Sequence, residues 1–302
     1  MSGRLGAIAA VSGALIASLG AAPPAQASAP ELHVRSLSAS ASEDFWTPSR
    51  MEAARPLELV RGAGPARLRP GEQAPDFLSG EVTTPTTAPN NTNGRLFGVL
   101  KGFGPFSCSA TSLDSASGRA IFTAGHCVYD PHQSRFAKQV VFVPAYTDGE
   151  APFGTWQASM LLTTQAWTRD FNSNFDFAAI ELRAGPAGET IEGTVGGRPL
   201  AVKSPVRQSY AAYGYPANLL EAERMWACGS AYAGRDPRPF RIGAAPIAIG
   251  CDMTGGASGG GWIGESGALV SVSSFGYSRY PNLLFGPRLG AAASKLVKRA
   301  GG

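Results

Sequence analysis

The pattern that most constrains the fold is a succession of short apolar runs, separated by turn residues, which begins at Arg95 and continues almost to the end of the chain. Short runs bounded by glycine, proline and polar residues predict strands. The first set of predicted strands covers residues 96–100, 106–113, 119–124, 139–145, 155–162 and 177–182. After a connection rich in Gly and Pro over residues 184–199, the second set covers residues 208–213, 225–228, 242–251, 260–263 and 268–275.

Two sets of short strands with no helix between them predict an all-β fold of two antiparallel barrels or sandwiches. The 38 glycines and 23 prolines among 302 residues agree with frequent turns. Residues 290–299 are rich in helix formers and carry cations in their last turns, which predicts a short C-terminal helix.

The N-terminus has the features of a secretory signal peptide over residues 1–27. Arg4 precedes an apolar run over residues 5–19, and Ala25 and Ala27 are small residues at the spacing of a cleavage site. A cut after Ala29 is disfavoured because Pro30 would follow it. The apolar run is too short for a membrane helix, so we expect a secreted protein with no membrane attachment after signal removal.

Residues 28–94, here called the leader, differ in composition and pattern from the rest of the chain. Thr47 can cap a short helix that has Pro48 at its first position. Residues 83–93 are polar and resemble a linker. We interpret the leader as a prosegment followed by a linker, with the mature N-terminus between Gly80 and Leu96; the alternative is a tail without function.

Four cysteines in an exported chain predict two disulfides. Three connectivities are possible, and we favour pairing in chain order, Cys108 with Cys127 and Cys228 with Cys251, because each pair then lies within one half. The chain has no CxxC motif and only three histidines, so neither a metal nor another cofactor is expected. The net charge of +4 is spread without dense Lys/Arg blocks, which disfavours nucleic-acid binding.

Ser258 lies among glycines in the Gly-Ala-Ser-Gly-Gly motif of residues 256–260. Glycines allow the backbone to turn sharply, so the hydroxyl could face outward while backbone N–H groups converge on one point, as attack on a carbonyl requires. The alternative is a surface loop. The decisive question is whether the chain also offers a base and an acid.

The base is expected to be His126, which follows a predicted strand and precedes a cysteine, whereas His33 lies in the leader and His132 in a polar turn. The acid is expected to be Asp176, at the start of an apolar strand, because a buried carboxylate needs a partner. Asp170 and Asp148 lie in polar turns.

The order of His126, Asp176 and Ser258 discriminates between folds. No histidine follows Ser258, which excludes the order of the α/β-hydrolases. A subtilisin order would need an acid before His126, such as Asp114, and an α/β architecture. The motif of residues 123–127, Phe-Asp-Phe-Ala at residues 175–178 and the glycine-rich motif around Ser258 resemble those of the trypsin/chymotrypsin family. The Cys-Asp-Met-Thr-Gly-Gly run from residue 251 and the Trp-Thr-Pro-Ser-Arg-Met run from residue 46 are similar to secreted bacterial members related to glutamyl endopeptidases.

This resemblance implies two antiparallel six-stranded β-barrels, over residues 95–190 with His126 and Asp176 and over residues 191–302 with Ser258. It implies that His126 is general base and then acid, Asp176 orients it and Ser258 is the nucleophile. The backbone N–H groups of Gly256 and Ser258 would form the oxyanion hole.

The resemblance further implies that Ser274 supports Asp176 and that Gly276 pairs with the substrate backbone. Ala257 replaces the acid that binds the new N-terminus in animal trypsins, so activation must differ. Asp252 stands where an acid would select Arg or Lys at the cleaved bond, or it caps a turn. Ser273 replaces the histidine used for glutamate recognition.

The expected function is that of a secreted serine endopeptidase, made as a preproprotein and acting as a monomer on polypeptides. The alternatives are a catalytically silent homologue that binds a partner, or an esterase on the same scaffold.

Overall fold

The computed structural model describes residues 30–38, 45–65 and 75–302. The predicted signal peptide over residues 1–27 therefore lies outside the described residues. No helix within these ranges is long and apolar enough to cross a membrane.

The described residues form mainly short strands. In chain order the strands are β1 (Leu32–Ser36), β2 (Arg55–Pro56), β3 (Phe77–Glu81), β4 (Asn93–Leu100), β5 (Gly104–Ser112), β6 (Ala120–Thr123), β7 (Tyr129–Asp130), β8 (Arg135–Phe136), β9 (Lys138–Pro144), β10 (Trp156–Thr164), β11 (Ala178–Leu182), β12 (Ser209–Gly214), β13 (Trp226–Arg235), β14 (Ile247–Gly250), β15 (Gly261–Gly264), β16 (Leu269–Val272) and β17 (Leu283–Gly286). The α-helices are α1 (Pro48–Glu52), α2 (Gln165–Asp170), α3 (Ile191–Val195) and α4 (Ala291–Ala300).

The first barrel is a closed ring of six antiparallel strands. Strands β4, β5, β6, β11, β10 and β9 pair in that order, and the pairing of β9 with β4 closes the ring. All six cover the strands predicted for the first half, because the apolar runs supply the side chains of the barrel core. Helix α4, predicted from its composition, packs against β11, β10 and β6 through buried residues such as Ala293 and Leu296.

The second barrel has six strands in the order β16, β15, β12, β13, β14, β17. Its two end strands, β16 and β17, do not pair with each other, and Phe275, which follows β16, forms an isolated bridge with Phe285 of β17, so the second barrel is less completely closed than the first. The all-β prediction is thus confirmed. Two predicted strands are shorter in the structure: residues 242–251 yield only β14, because Ile242 is 63% exposed in a loop and the strand begins at Ile247, and residues 268–275 yield β16, which ends at Val272. The strand predicted over residues 225–228 is longer, since β13 continues to Arg235. Strand β17 was not predicted.

Both predicted disulfides are present, Cys108–Cys127 within the first barrel and Cys228–Cys251 within the second.

A buried set of hydrogen bonds connects the two halves of the chain. Arg95 of β4, 1% exposed, donates to Glu223 at 2.5 Å, and Tyr146 donates to the same carboxylate at 2.6 Å. Burial and this hydrogen bond raise the pKa of Tyr146.

The described parts of the leader are built into both barrels. Strand β1 pairs with β10 of the first barrel, and β3 pairs with β13 of the second. Thr47 caps α1 and Pro48 is its first residue, as predicted. Trp46 and Met51 are buried against Phe97 and neighbouring residues of the first barrel, where the Trp46 indole donates to the Gln139 carbonyl at 2.5 Å.

The polar run of residues 83–93 does not form an extended tether. Its last residues form a 3₁₀-helix, Asn90–Thr92, and Asn91, Thr92 and Asn93 are buried. Hydrogen bonds satisfy part of the polar groups that this burial removes from water: the Thr92 hydroxyl donates to the Pro89 carbonyl, and the Asn93 side chain accepts from Thr111 of β5. The Asn91 side-chain oxygen is buried without a hydrogen-bond partner among the described residues.

Candidate active site

His126 lies on a 3₁₀-turn, Gly125–Cys127, that follows β6. The disulfide from Cys127 to Cys108 attaches this turn to β5. Gly125 is required here because a Cβ atom would lie 2.9 Å from Oδ1 of Asp176. The missing side chain lets the Asp176 carboxylate approach the His126 backbone.

Asp176 ends a second 3₁₀-turn, Ser173–Phe175, just before β11, and it is fully buried. Its carboxylate accepts three hydrogen bonds: from the His126 backbone N–H at 2.7 Å, from His126 Nδ1 at 2.8 Å and from the Ser274 hydroxyl at 2.6 Å. These donors offset the cost of burying the charge. With Nδ1 donating to Asp176, Nε2 of His126 is the nitrogen left to act as a base.

The loop around Ser258 is held against the first barrel by backbone contacts. The Ser109 N–H donates to the Ser258 carbonyl at 2.7 Å, and the Ser109 hydroxyl donates to the Gly256 carbonyl at 2.8 Å. Gly256 has a φ of +90°, and a Cβ atom there would lie 2.3 Å from the Tyr215 carbonyl. Only glycine fits this position, so the Gly256 N–H is presented beside the Ser258 hydroxyl.

A carbonyl of the leader occupies this site. The Gly256 N–H donates to the Leu57 carbonyl oxygen at 2.7 Å, and the Ser258 hydroxyl donates to the same oxygen at 3.4 Å. Within the described part of the chain, Nε2 of His126 is buried and has no hydrogen-bond partner. The serine proton is therefore directed at Leu57 and not at the base.

The leader crosses the cleft from one barrel to the other on either side of Leu57. Strand β2 pairs in parallel with Phe106 and Ser107 of β5. On the other side, the Gly276 N–H donates to the Leu59 carbonyl at 3.1 Å, and the Arg61 N–H donates to the Gly276 carbonyl at 3.0 Å. Gly276, predicted to pair with the substrate backbone, pairs in this structure with Val60 of the leader.

Two cavities flank the leader at this point. One of about 260 Å³ touches Ser258 and has mainly apolar walls that include Met253, Phe275 and Leu283. The other, of about 340 Å³, contacts His126 and is lined by Trp167 and other aromatic residues. Leu59 lines both cavities, so the leader lies between them.

Asp252 is not among the residues that line the cavity beside Ser258. Its carboxylate accepts a hydrogen bond at 3.0 Å from Ser79 of the leader, and its backbone carbonyl accepts one at 2.8 Å from Asn218. Ser273 does line this cavity, and its hydroxyl accepts a hydrogen bond from the Trp262 indole at 3.0 Å. The structure thus brings together all predicted site residues except Asp252.

The residues that sequence reasoning missed are Leu57 and a buried pair, Arg61 and Asp236. Asp236 follows β13 and accepts from Arg61 at 2.5 Å and from the Tyr277 hydroxyl at 2.6 Å. Burial, and then the hydrogen bond to Asp236, raise the pKa of Tyr277. A single acid in the Arg-Asp-Pro-Arg run of residues 235–238 carries no local sign that it becomes buried.

Comparison with known proteins locates these features in a family. The chain is 34% identical to a thermostable serine protease, AL20, from an extremophilic microorganism, over 70% of this chain and 97% of that one, with a TM-score of 0.63. It is 29% identical to the protease Anisep from Arthrobacter nicotinovorans, over 72% of this chain and 98% of that one, with a TM-score of 0.64. No protein-family model matches the chain.

Two curated proteins match over shorter segments. One is an extracellular metalloprotease of Bacillus subtilis, 33% identical over 96 residues, or 32% of this chain, and the other is a glutamyl endopeptidase of Bacillus licheniformis, 31% identical over 114 residues, or 35% of this chain. The matched segments span about a third of these relatives, 30% and 34% of their lengths.

The name of the first relative raises the question of a metal site. Among the described residues, the side chains close enough to share an ion form two groups: Cys108, His126 and Cys127, and Cys228, Cys251 and Asp252. The two cysteines in each group are bonded to each other, so neither group offers the thiolates that would bind zinc. These residues do not fit a metal centre.

Proposed function

The chain belongs to the bacterial chymotrypsin-like serine proteases, and we propose that it is a secreted endopeptidase that acts on polypeptides through an acyl-enzyme on Ser258. The observation that carries this proposal is the Leu57 carbonyl, a peptide carbonyl that lies 2.7 Å from the Gly256 N–H and 3.4 Å from the Ser258 hydroxyl. The site thus accommodates the chemical group on which it would act.

The first half of the reaction follows from the geometry. When the Ser258 Oγ attacks a substrate carbonyl carbon, its proton passes to Nε2 of His126, and the new imidazolium is stabilised by Asp176. The negative charge on the carbonyl oxygen is met by the Gly256 N–H, together with the Ser258 N–H. Collapse of this intermediate breaks the C–N bond, and the proton on Nε2 goes to the leaving amine.

In the second half, water replaces the amine. His126 removes a proton from the water molecule, and the resulting hydroxide attacks the acyl carbon. The proton then returns to Ser258 Oγ as the ester bond breaks, which releases the acid product and restores the enzyme. Every step described here uses side chains and backbone N–H groups of this chain, together with water.

We expect the full chain to be a latent precursor. The leader carbonyl uses the Gly256 N–H and the Ser258 hydroxyl, and Nε2 of His126 lacks a partner in the described residues. A serine whose proton is directed at the carbonyl cannot pass it to the base. Removal of the leader would free the three groups together, which supports activation by proteolysis without the N-terminal ion pair of animal trypsins.

The walls of the cavity beside Ser258 support an apolar side chain at the cleaved bond, because Met253, Phe275 and Leu283 form them. A preference for Arg or Lys through Asp252 would require its carboxylate to leave Ser79 and turn into the cavity. A cleavage-site profile on a denatured protein mixture distinguishes the two.

The test of the proposed function uses protein secreted into the culture medium. A fluorophosphonate should label the processed form at Ser258, and Ser258→Ala should abolish both labelling and casein cleavage. Ser294→Ala, in the C-terminal helix, is the matched control and should retain both. Casein cleavage by the Ser258→Ala protein at the parental rate would refute the mechanism.

The alternatives give other results in the same experiment. An esterase would hydrolyse ester substrates but leave casein intact, and a silent homologue would cleave neither. Mass spectrometry of the active protein should find its N-terminus between Gly80 and Leu96, and an active enzyme that begins at Ser28 would exclude a latent precursor.

A further inference from the structure

Asp236 forms the floor of a closed pocket next to the cleft. It is 3% exposed, and its side chain is completely buried with Arg61 in place. Three groups donate to the carboxylate: the Arg61 guanidinium at 2.5 Å, the Tyr277 hydroxyl at 2.6 Å and the Arg238 backbone N–H at 2.9 Å. A carboxylate held in this way is a fixed negative charge that its surroundings shield from water.

The walls of this pocket, here called the Asp236 pocket, are aromatic. The Arg61 guanidinium carbon lies 4.8 Å from the centre of the Phe275 ring, 5.5 Å from that of Phe240 and 5.9 Å from that of Tyr277. Aromatic faces around an acid favour a cation, and a flat guanidinium most of all. A second guanidinium nitrogen donates to the Arg238 carbonyl at 2.9 Å.

The pocket is part of the surface that faces a bound peptide. Phe275 and Tyr277, which contact Arg61, are the neighbours of Gly276, and the Gly276 carbonyl accepts from the Arg61 N–H at 3.0 Å. Val60 of the leader forms a parallel bridge with Gly276, and the side chain in the pocket belongs to the next residue, Arg61. That position is distinct from Leu57, whose carbonyl lies at Ser258.

Loss of the leader would leave the pocket without its cation. Asp236 would keep two donors, the Tyr277 hydroxyl and the Arg238 N–H, but a buried charge without an ionic partner is unfavourable. The nearby side chains of Arg238 and Arg279 donate to leader carbonyls, at Gly64 and Pro65, in the described structure. The vacated pocket would therefore favour a cationic side chain from the peptide that binds next, in competition with these two arginines.

We propose that the Asp236 pocket is a substrate subsite for a basic side chain, with arginine preferred, and that Arg61 fills it in the precursor. The proposal rests on the proposed endopeptidase function and deepens it: substrates are selected at Gly276 as well as at the cleaved bond. One pocket then serves both to hold the leader and to recognise substrates.

The experiment uses the active form that mass spectrometry shows to begin after Arg61. Internally quenched peptides share one cleavage site and carry arginine, lysine or citrulline at one scanned position on either side of it. Citrulline has the shape of arginine without its charge. At the position that binds beside Gly276, kcat/KM for arginine should exceed that for citrulline by about 10- to 100-fold, as for a charge-assisted pair with a buried acid.

Substitution of the acid assigns the effect to the pocket. Asp236→Asn should lower kcat/KM for the arginine peptide, so that the ratio of the arginine value to the citrulline value falls to about 1. The matched control Asp114→Asn, an exposed acid outside the cleft, should keep the parental ratio. Tyr277→Phe removes one donor to Asp236 without removing the charge, so it should retain a preference for arginine, and it serves if the Asp236 variant fails to fold.

The outcomes separate this proposal from the proposed function. If no peptide is cleaved by the parental enzyme, the endopeptidase function is wrong. If peptides are cleaved but kcat/KM is the same for arginine and citrulline at every position, the enzyme is a protease and the subsite is refuted. That result is expected if the Arg238 side chain folds onto Asp236 after the leader departs. An active enzyme that still carries Arg61 in place would refute it as well.

Discussion

Replacing Arg61 by alanine should release the full chain from the latency proposed above. Arg61 connects the leader to the second barrel through Asp236 at 2.5 Å, the Arg238 carbonyl at 2.9 Å and the face of Phe275. Four residues before it, the Leu57 carbonyl covers Ser258. The two contacts lie on one short segment of the leader, so loss of the Arg61 contacts should weaken the binding of Leu57 at Ser258.

The size of the effect follows from the burial of the pair. Removing one partner of a fully buried ion pair costs about 3–5 kcal/mol. The Arg61 side chain is 21% exposed and Asp236 keeps two other donors, so we expect a smaller loss of about 2 kcal/mol in the binding of this segment. A loss of this size increases the fraction of precursor with a free Ser258 about 30-fold.

The assay is the rate of fluorophosphonate labelling of the intact full chain, with mass spectrometry confirming that the leader is uncut. The Arg61→Ala precursor should be labelled about 30-fold faster than the parent. Arg61→Lys, which keeps the charge but loses the forked geometry, should fall between the two. Arg50→Ala is the matched control, since Arg50 is an exposed leader arginine whose side chain contacts Phe45.

Equal labelling rates for the parent and the Arg61→Ala precursor, with the leader intact in both, would refute the reasoning. That result would mean that the contacts of β1, α1 and β3 hold the leader without help from Arg61. Equal acceleration by Arg50→Ala would show a general loosening of the leader and would also count against the Asp236 pocket.

Three further predictions concern the rest of the molecule. Ser274→Ala removes a 2.6 Å hydrogen bond to Asp176 and should lower kcat about tenfold with KM unchanged; peptide kinetics with equal kcat would contradict this. Stability should fall as the pH rises above 10, the ordinary tyrosine pKa, because burial raises the pKa of Tyr210 to about 12 and raises those of Tyr146, Tyr215 and Tyr277, so the folded state holds their protons when the unfolded chain has released them. Denaturant titrations at a series of alkaline pH values test the fall, and a constant free energy of unfolding would be the contrary result. Activity should survive EDTA because the clustered cysteines form disulfides; loss of activity that zinc restores would show otherwise.

Local patterns in the sequence determine much of this molecule. The apolar runs of the first half predicted its six barrel strands because each run supplies the inward face of one strand. The cysteines pair in chain order, since each pair lies within one barrel. The candidate triad was also predictable, because His126, Asp176 and Ser258 each follow or precede a strand in a short motif.

The sequence did not determine the direction in which the Asp252 side chain points. The position of Asp252, six residues before Ser258, was compatible with a pocket acid or a turn. Its carboxylate lies on Ser79 because β3 of the leader pairs with β13 and brings that hydroxyl close. The sequence around residue 252 does not indicate which strand lies beside it in the fold.

What only the tertiary structure decided is the placement of the leader. Its residues look poorly suited to a core, yet they join both sheets, and the contact of Leu57 with Ser258 spans a sequence separation of 201 residues. The Arg61–Asp236 pair spans 175 residues. Residue periodicity and turn chemistry report on neighbours along the chain, whereas the burial of one carboxylate and the carbonyl that covers one serine depend on which distant segments fill the same space.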